Sequence, residues 1–202
     1  MDSIAKKNVK KNVDEKIFKI IEISVWKANI YALGLIVPVI IFYILFFELI
    51  WGLEKLAIIN NLFGKIFLLI LGVIMHELIH GFFWSIFCKD GFKSISFGFI
   101  WKGFAPYAHC KEALKLSYYK LGTVMPLVML GIIPALLSII FGIGWLLIYG
   151  IIFTLASGGD IIMLYHLSKF DNNKYVIDHP NEIGCIILNE KSDNEAIKKY
   201  NL

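Results

Sequence analysis

The chain has 202 residues, of which 58% are hydrophobic and 18% are charged, and its 20 basic residues, all lysine, leave a net charge of +4. Soluble domains carry about 25% charged residues and cover their surface with polar groups, so this composition excludes both an ordinary soluble domain and a disordered chain. Three scattered cysteines, Cys88, Cys110 and Cys185, form no CxxC pair and predict neither a disulfide framework nor a thiolate metal site. The fold class that remains is an α-helical integral membrane protein.

Two polar ends flank the predicted membrane core. Residues 1–27 are rich in lysine, and apolar residues at helical spacing between positions 17 and 25 indicate an amphipathic helix on the membrane surface. Residues 168–202 are polar and form the opposite end of the chain. We predict that both ends are cytoplasmic segments and that residues 28–167 form the core.

The core contains enough apolar sequence for about four transmembrane helices. The last apolar run would be about 70 Å long as a single helix, over twice the thickness of the hydrocarbon core, so it must fold back. Gly142 and Gly144 mark the predicted turn, and Pro126 and Pro134 predict kinks before it. The resulting spans are residues 28–50, 62–87, 121–141 and 145–167.

The loop between the second and third spans, residues 88–118, contains a strand-like pattern. From Ser94 to Phe99, apolar side chains alternate with small ones, which is the period of a β-strand. Gly103 and Pro106 predict a turn into a second extended piece. The sequence therefore predicts a short β-hairpin-like insertion between these two spans.

The distribution of lysine predicts the orientation of the spans. The two ends of the chain and the 88–118 loop are rich in lysine, whereas the 51–61 connection has one lysine and the turn at 142–144 has none. Because cytoplasmic loops of membrane proteins carry an excess of positive charge, both termini and the 88–118 loop are predicted to be cytoplasmic.

The second span contains His76-Glu77-Leu78-Ile79-His80, an HExxH motif. Helix positions i and i+4 lie on one face, so both imidazoles can reach one Zn²⁺, while Glu77 can reach water and act as general base. A charged group at the centre of a bilayer costs about 2.5–3.5 kcal/mol on insertion scales, so these side chains need a partner. The alternative is a polar cluster that holds helices together.

A zinc site that keeps a position for water needs a third protein ligand. Asp160 is the acidic residue deep in the fourth span. His80 lies nine residues before Lys89 and Asp160 nine before Lys169, which places both about 13 Å inside the cytoplasmic boundary. The two glycines before Asp160 are expected to let the fourth span approach the second closely. The alternative for Asp160 is a helix cap or a pair with a lysine.

These motifs carry a resemblance to known proteins. An HExxH motif in one membrane helix and Gly158-Gly159-Asp160 in a later one resemble the site-2 protease clan of intramembrane zinc proteases. More closely, the chain resembles, over about residues 30–180, a small bacterial zincin-peptidase family of that clan. The stretches that carry this likeness are His76 to Gly81, Pro106 to Glu112, Met125-Pro126 and Gly158 to Asp160.

The resemblance implies a zinc-dependent metalloendopeptidase in the bacterial plasma membrane. It implies one Zn²⁺ per chain, held by His76, His80 and Asp160, with Glu77 as the catalytic base. Clan members often carry Asn-Pro or Leu-Asp-Gly around the third ligand, and this chain departs from that pattern. The choice of Asp160 therefore rests partly on its depth.

The predicted substrate is a membrane-associated protein that is cut near the cytoplasmic face, with the lipid bilayer as the other partner. A transmembrane substrate must unwind before hydrolysis, and extended peptides bind along an exposed strand edge. Residues 94–101 are one such edge, and an amphipathic hairpin resting on the membrane is the alternative. The candidate substrate-binding residues are Phe97, Gly98, Phe99 and His109.

Other functions remain open at this stage. A non-catalytic metal-binding scaffold or pseudo-protease would use the same three ligands, and so would a metal transporter. Transport ranks last because the third span has no acidic residue and the first has only Glu48. No nucleic-acid partner is predicted because the aromatic residues lie mainly in the spans. Asp178-His179-Pro180 predicts a turn rather than a second metal site.

Overall fold

The computed structural model describes residues 17–22, 25–56, 61–100, 105–179 and 184–188. The helices in this part of the chain are α1 (Val25–Trp51), α2 (Leu62–Ser85), α3 (Leu116–Pro126), α4 (Ile133–Phe141), α5 (Gly144–Ala156) and α6 (Gly158–Leu167). The strands are β1 (Ile17–Glu22), β2 (Ile95–Ile100), β3 (Ala105–Cys110), β4 (Leu114–Lys115), β5 (Tyr175–Asp178) and β6 (Gly184–Leu188). The protein is therefore mostly helical with a minor β component.

The helices include several that are long and apolar enough to cross a membrane. Among the described residues there are three, at 30–51, 62–85 and 116–141, and the bent pair α5–α6 makes a fourth if it forms one span. Only 17% to 28% of the residues in their most apolar windows are buried. Apolar surface this extensive is compatible with a membrane protein, because soluble monomers rarely expose large contiguous apolar patches.

Local sequence signals account for where these helices begin and end. Asn61 precedes α2, and its side-chain oxygen accepts the backbone N–H of Gly64 at 3.2 Å. Gly142 ends α4 with φ 68°, a left-handed conformation that glycine adopts without steric cost. Pro126 and Pro134 flank a π-helical turn at Leu127–Ile132, which joins α3 to α4 in the predicted third span.

The fourth predicted span is broken where α5 meets α6, with a bend of 48°. Ser157 lies at the break and donates its hydroxyl to the carbonyl of Phe153 at 3.0 Å. Asp160 consequently lies in the first turn of α6. A carboxylate is favoured there because the N-terminal end of a helix carries partial positive charge.

The glycines before Asp160 do not have the neighbour that was predicted for them. A Cβ atom on Gly158 would meet Ala32 and Ile36 of α1, the first span, and one on Gly159 would meet nothing within 4 Å. Close approach between the second and fourth spans occurs at Gly72 of α2, where a Cβ would overlap Phe153 of α5. The small residue that this contact requires lies in the HExxH helix itself.

The two polar ends of the chain contain strands, and the predicted surface helix near residues 17–25 is wrong for its first part. β1 pairs antiparallel with β6, and the four-stranded sheet has the order β1-β6-β5-β4. Its interior strands are apolar and buried, for example at Val176 and Ile187, both 0% exposed. Residues 17–22 form a strand and not a helix because β6, some 165 residues away in sequence, provides a buried apolar strand with which they pair.

The predicted hairpin-like insertion is present as an antiparallel pair of strands. β2 pairs with β3 from Ile95 opposite Cys110 to Ile100 opposite Ala105, and the predicted turn at Gly103 lies outside the described residues. Glu112 ties the start of the insertion to its end, since its carboxylate accepts the backbone N–H of Lys89 at 2.9 Å. The hairpin also contacts α2, the helix that carries the HExxH motif.

Candidate metal centre

The structure brings His76, His80 and Asp160 together, although 80 residues separate the second histidine from the aspartate. His76 Nε2 lies 3.2 Å from one carboxylate oxygen of Asp160, and His80 Nε2 lies 3.3 Å from the other. Two ligand atoms on one tetrahedral zinc, each bound at about 2.0–2.1 Å, are about 3.3–3.4 Å apart. The two separations in the structure are close to that spacing.

A hydrogen bond to the backbone of α3 orients the ring of His80. Its Nδ1 lies 3.0 Å from the backbone carbonyl oxygen of Gly122 in α3. A carbonyl oxygen only accepts, so Nδ1 carries the hydrogen, and the Nε2 of a neutral ring then presents a lone pair. This backbone contact selects the tautomer that a metal ligand needs.

The donor set fits a metal ion. With its hydrogen on Nδ1, neutral His80 directs the Nε2 lone pair at an oxygen of Asp160 that is also an acceptor. Two facing acceptors repel unless a proton or a metal ion lies between them. The buried Nδ1 of His76 has no hydrogen-bond partner among the described residues, and Nε2 is the atom of this ring that contacts Asp160. Two imidazoles and a carboxylate are a ligand set that zinc accepts, and a cation here would relieve the repulsion.

Glu77 lies beside this cluster and next to the hairpin. Its half-buried carboxylate lies near the backbone of Ala108 in β3. Alternate residues of a strand direct their N–H groups to the same edge. Lys111, an odd-numbered residue, donates to the carbonyl of Ser94 on the β2 side, so even-numbered residues such as Ala108 direct their N–H groups away from β2. The N–H groups of Ala108 and Cys110 therefore lie on the edge of β3 that faces away from β2. Both strands of the hairpin contact α2, and the substrate edge at residues 94–101 stays a prediction.

The candidate substrate-binding residues in β2 pack partly against neighbouring side chains and are partly exposed. Phe97 packs over Gly81 of α2, and Gly98 lies against the ring of Tyr107. Phe97 and Phe99 are each about two-fifths exposed, at 42% and 41%. Their role in substrate binding stays a prediction.

A ladder of stacked rings extends from His80 away from the cluster. The Trp84 ring stacks on His80 with centroids 5.2 Å apart and on Tyr119 with centroids 5.0 Å apart, both at 16°. Trp84 Nε1 also donates to the backbone carbonyl of Tyr119 at 3.0 Å. The ladder leaves the His80 ring little freedom to tilt.

Asp178 lies at the far end of this ladder. From the sequence we predicted only a turn at this position and no functional role for Asp178. Its carboxylate accepts the hydroxyl of Tyr119 and, at 2.7 Å, the backbone N–H of Cys110. His109 Nδ1 is 3.9 Å from the same carboxylate. Burial raises the pKa of Asp178, although His109 and the two hydrogen bonds act in the opposite direction. An acidic residue that ends the apolar run Tyr175-Val176-Ile177 was the available signal.

We expect Gly122→Ala to destabilise the protein. A Cβ atom at Gly122 would overlap the Trp84 ring, and overpacking of this kind costs about 1–3 kcal/mol. Gly159→Ala is the matched control, because a Cβ there meets nothing within 4 Å and alanine favours a helix. Thermal unfolding in detergent should show a lower midpoint for the first variant alone. Equal midpoints for Gly122→Ala and the wild type would contradict the packing described here.

Comparison with known protein families agrees with this geometry. A family described as "Putative zincin peptidase" matches residues 69–175, slightly more than half of the chain. No curated protein and no solved structure matches the chain. The matched segment contains the HExxH motif, the hairpin and Asp160, whereas Asp178 lies just beyond it. The chain belongs to this family.

Proposed function

We propose that the protein is an intramembrane zinc metalloprotease of the site-2 protease type, which hydrolyses peptide bonds of a membrane-associated protein near the cytoplasmic face. The observation that carries the proposal is the cluster itself. The Nε2 atoms of two buried histidines converge on one carboxylate, and the glutamate of the same HExxH motif lies beside them. Membership in a zincin-peptidase family supports peptide hydrolysis as the reaction.

The membrane location rests on the exposed apolar helices and on the charge pattern. α2 carries the HExxH motif and is among the helices that are long and apolar enough to span. We propose that its hydrophobic surface contacts lipid in the bacterial plasma membrane and that both termini are cytoplasmic. The lysine-rich loop that follows α2 would then lie on the cytoplasmic side, close to the reaction.

Each residue of the cluster has a role in this reaction. His76, His80 and Asp160 would hold one zinc ion per chain, which supplies Lewis-acid polarisation of the scissile carbonyl and makes water more acidic. Glu77 accepts the proton of the attacking water on its carboxylate and passes it to the departing amine nitrogen. The backbone of Ala108 lies next to that carboxylate.

The strand β3 packs against α2 and offers a place for the substrate backbone. A peptide segment in a transmembrane helix has its carbonyls bonded within the helix, so it must unwind before hydrolysis. An extended segment gains replacement partners when it adds to the edge of a strand. Because β3 contacts Glu77, a peptide added there would have a carbonyl next to the catalytic base.

Cleavage of pooled membrane proteins tests the proposal. We expect the purified protein, incubated with detergent-solubilised bacterial membrane proteins, to create new N-termini close to the cytoplasmic ends of transmembrane segments, as mapped by mass spectrometry. 1,10-Phenanthroline should abolish them and added Zn²⁺ should restore them. Bound zinc without any new N-terminus would favour the non-catalytic scaffold. New N-termini only in soluble regions would contradict cleavage at the membrane.

A further inference from the structure

Asp178 is a buried carboxylate, 8% exposed, at the end of β5. It accepts hydrogen bonds from two different elements, the Tyr119 hydroxyl of α3 and the Cys110 backbone N–H of β3. A buried carboxylate is costly unless donors surround it, and bonds to a charged acceptor are stronger than those to a neutral one. The two donors are therefore held firmly relative to each other.

The first of these bonds leads to a predicted zinc ligand. Tyr119 is stacked on Trp84 and accepts its indole N–H, and Trp84 is stacked on His80. Gly122, one turn after Tyr119 on α3, accepts His80 Nδ1. A shift of Tyr119 would move the two groups that orient the His80 ring, the indole of Trp84 and the carbonyl of Gly122.

The second bond leads to the predicted base. Cys110 is the last residue of β3, and its N–H points to the same strand edge as that of Ala108, two residues earlier. β3 packs against α2, and the backbone of Ala108 lies near Glu77. By holding Cys110, Asp178 keeps β3 against the HExxH helix.

We propose that Asp178 is a positioning residue that holds a zinc ligand and the catalytic base in register, through Tyr119 on one side and β3 on the other. The inference rests on the proposed function. It makes the four-stranded sheet part of the catalytic apparatus, although β5 ends beyond the segment that the family match covers. Removal of a group hydrogen-bonded directly to a metal ligand commonly weakens metal binding by about 10- to 100-fold, and Asp178, which acts through Tyr119, is expected to contribute less.

Zinc affinity is the first measurement, made on the full-length protein in detergent by competition with a chromogenic chelator. Tyr119→Phe deletes only the hydroxyl, and Asp178→Asn retains the shape of the carboxylate. We expect each to weaken zinc binding by a few-fold, up to about 10-fold, the lower end of the range for direct partners of a ligand. Tyr118→Phe and Asp171→Asn are matched controls, since Tyr118 stacks on Phe87 instead and Asp171 is an exposed acid in the turn before β5. Both controls should bind zinc like the wild type.

The double variant Tyr119→Phe/Asp178→Asn separates positioning from general destabilisation. If the hydroxyl acts through Asp178, the double variant should bind zinc no more weakly than Asp178→Asn alone. Additive losses would mean that the two groups act independently and would overturn the proposal. If Asp178→Asn fails to fold, Tyr119→Phe decides, because wild-type zinc affinity in that variant also overturns it.

A further variant distinguishes failure of this inference from failure of the proposed function. His80→Ala should lose zinc. If it does, while Tyr119→Phe and Asp178→Asn keep wild-type affinity, the role of Asp178 is wrong and the zinc centre stands. If His80→Ala itself keeps wild-type affinity, the proposed centre is wrong and the role of Asp178 fails with it.

Discussion

Glu77→Gln is expected to retain zinc and to lose peptide hydrolysis by about 10³-fold, within the range of about 10²–10⁴ that a positioned general base contributes. The amide has the shape of the carboxylate but cannot take a proton from water at neutral pH. Glu77 is not among the residues predicted to hold the ion, so the metal content should be unchanged. Initial rates on one mapped cleavage site and zinc per chain are the two measurements.

Glu54→Gln provides the control for this substitution. Glu54 is an exposed acid in the short helical turn after α1, away from the HExxH helix, and the exchange alters charge in the same way. Its rate should equal that of the wild type. Undiminished hydrolysis by Glu77→Gln would exclude Glu77 as the base, and loss of zinc would show that it acts as a ligand.

His76→Ala and Asp160→Ala should each abolish stoichiometric zinc binding. Loss of a direct ligand is expected to weaken affinity by about 100-fold or more, since even partners of ligands contribute about 10- to 100-fold. His76 is the cleaner of the two histidines to change, because its Nδ1 has no partner among the described residues that the variant would also lose. Elemental analysis of the purified variants measures the loss.

His166→Ala is the control for the metal experiment, since His166 lies at the other end of α6 from Asp160. This variant should retain one zinc per chain. Retention of zinc by Asp160→Ala together with loss in His76→Ala would require another third ligand. Full retention in both variants would contradict the centre altogether.

Local pattern was sufficient to predict most of the helices and the pair of histidines. A helix places i and i+4 on one face whatever surrounds it, so HExxH implies converging imidazoles as soon as α2 forms. Gly142 marked a helix end because its conformational preference acts within a few residues. Depth below the first lysine after each span then indicated Asp160, and the structure brings it to the histidines.

Strand pairing and packing partners were not accessible in this way. The isoleucines between residues 17 and 22 suit a helix by spacing, but the strand forms because β6 lies alongside. Gly158 was assigned to the wrong neighbour because composition shows that a close contact exists and not which helix makes it. Asp178 looked like part of a turn, and only the folded chain places it between Tyr119 and Cys110.

By itself the sequence determined a helical protein with several apolar helices and the side chains that meet at the candidate zinc centre, because helical period and hydrophobic length are short-range properties. Tertiary structure alone decided what surrounds that centre, namely the carbonyl of Gly122 on His80, the edge of β3 on Glu77 and the link to Asp178. These contacts join residues tens of positions apart, and they exist only once the helices and the sheet have packed against each other.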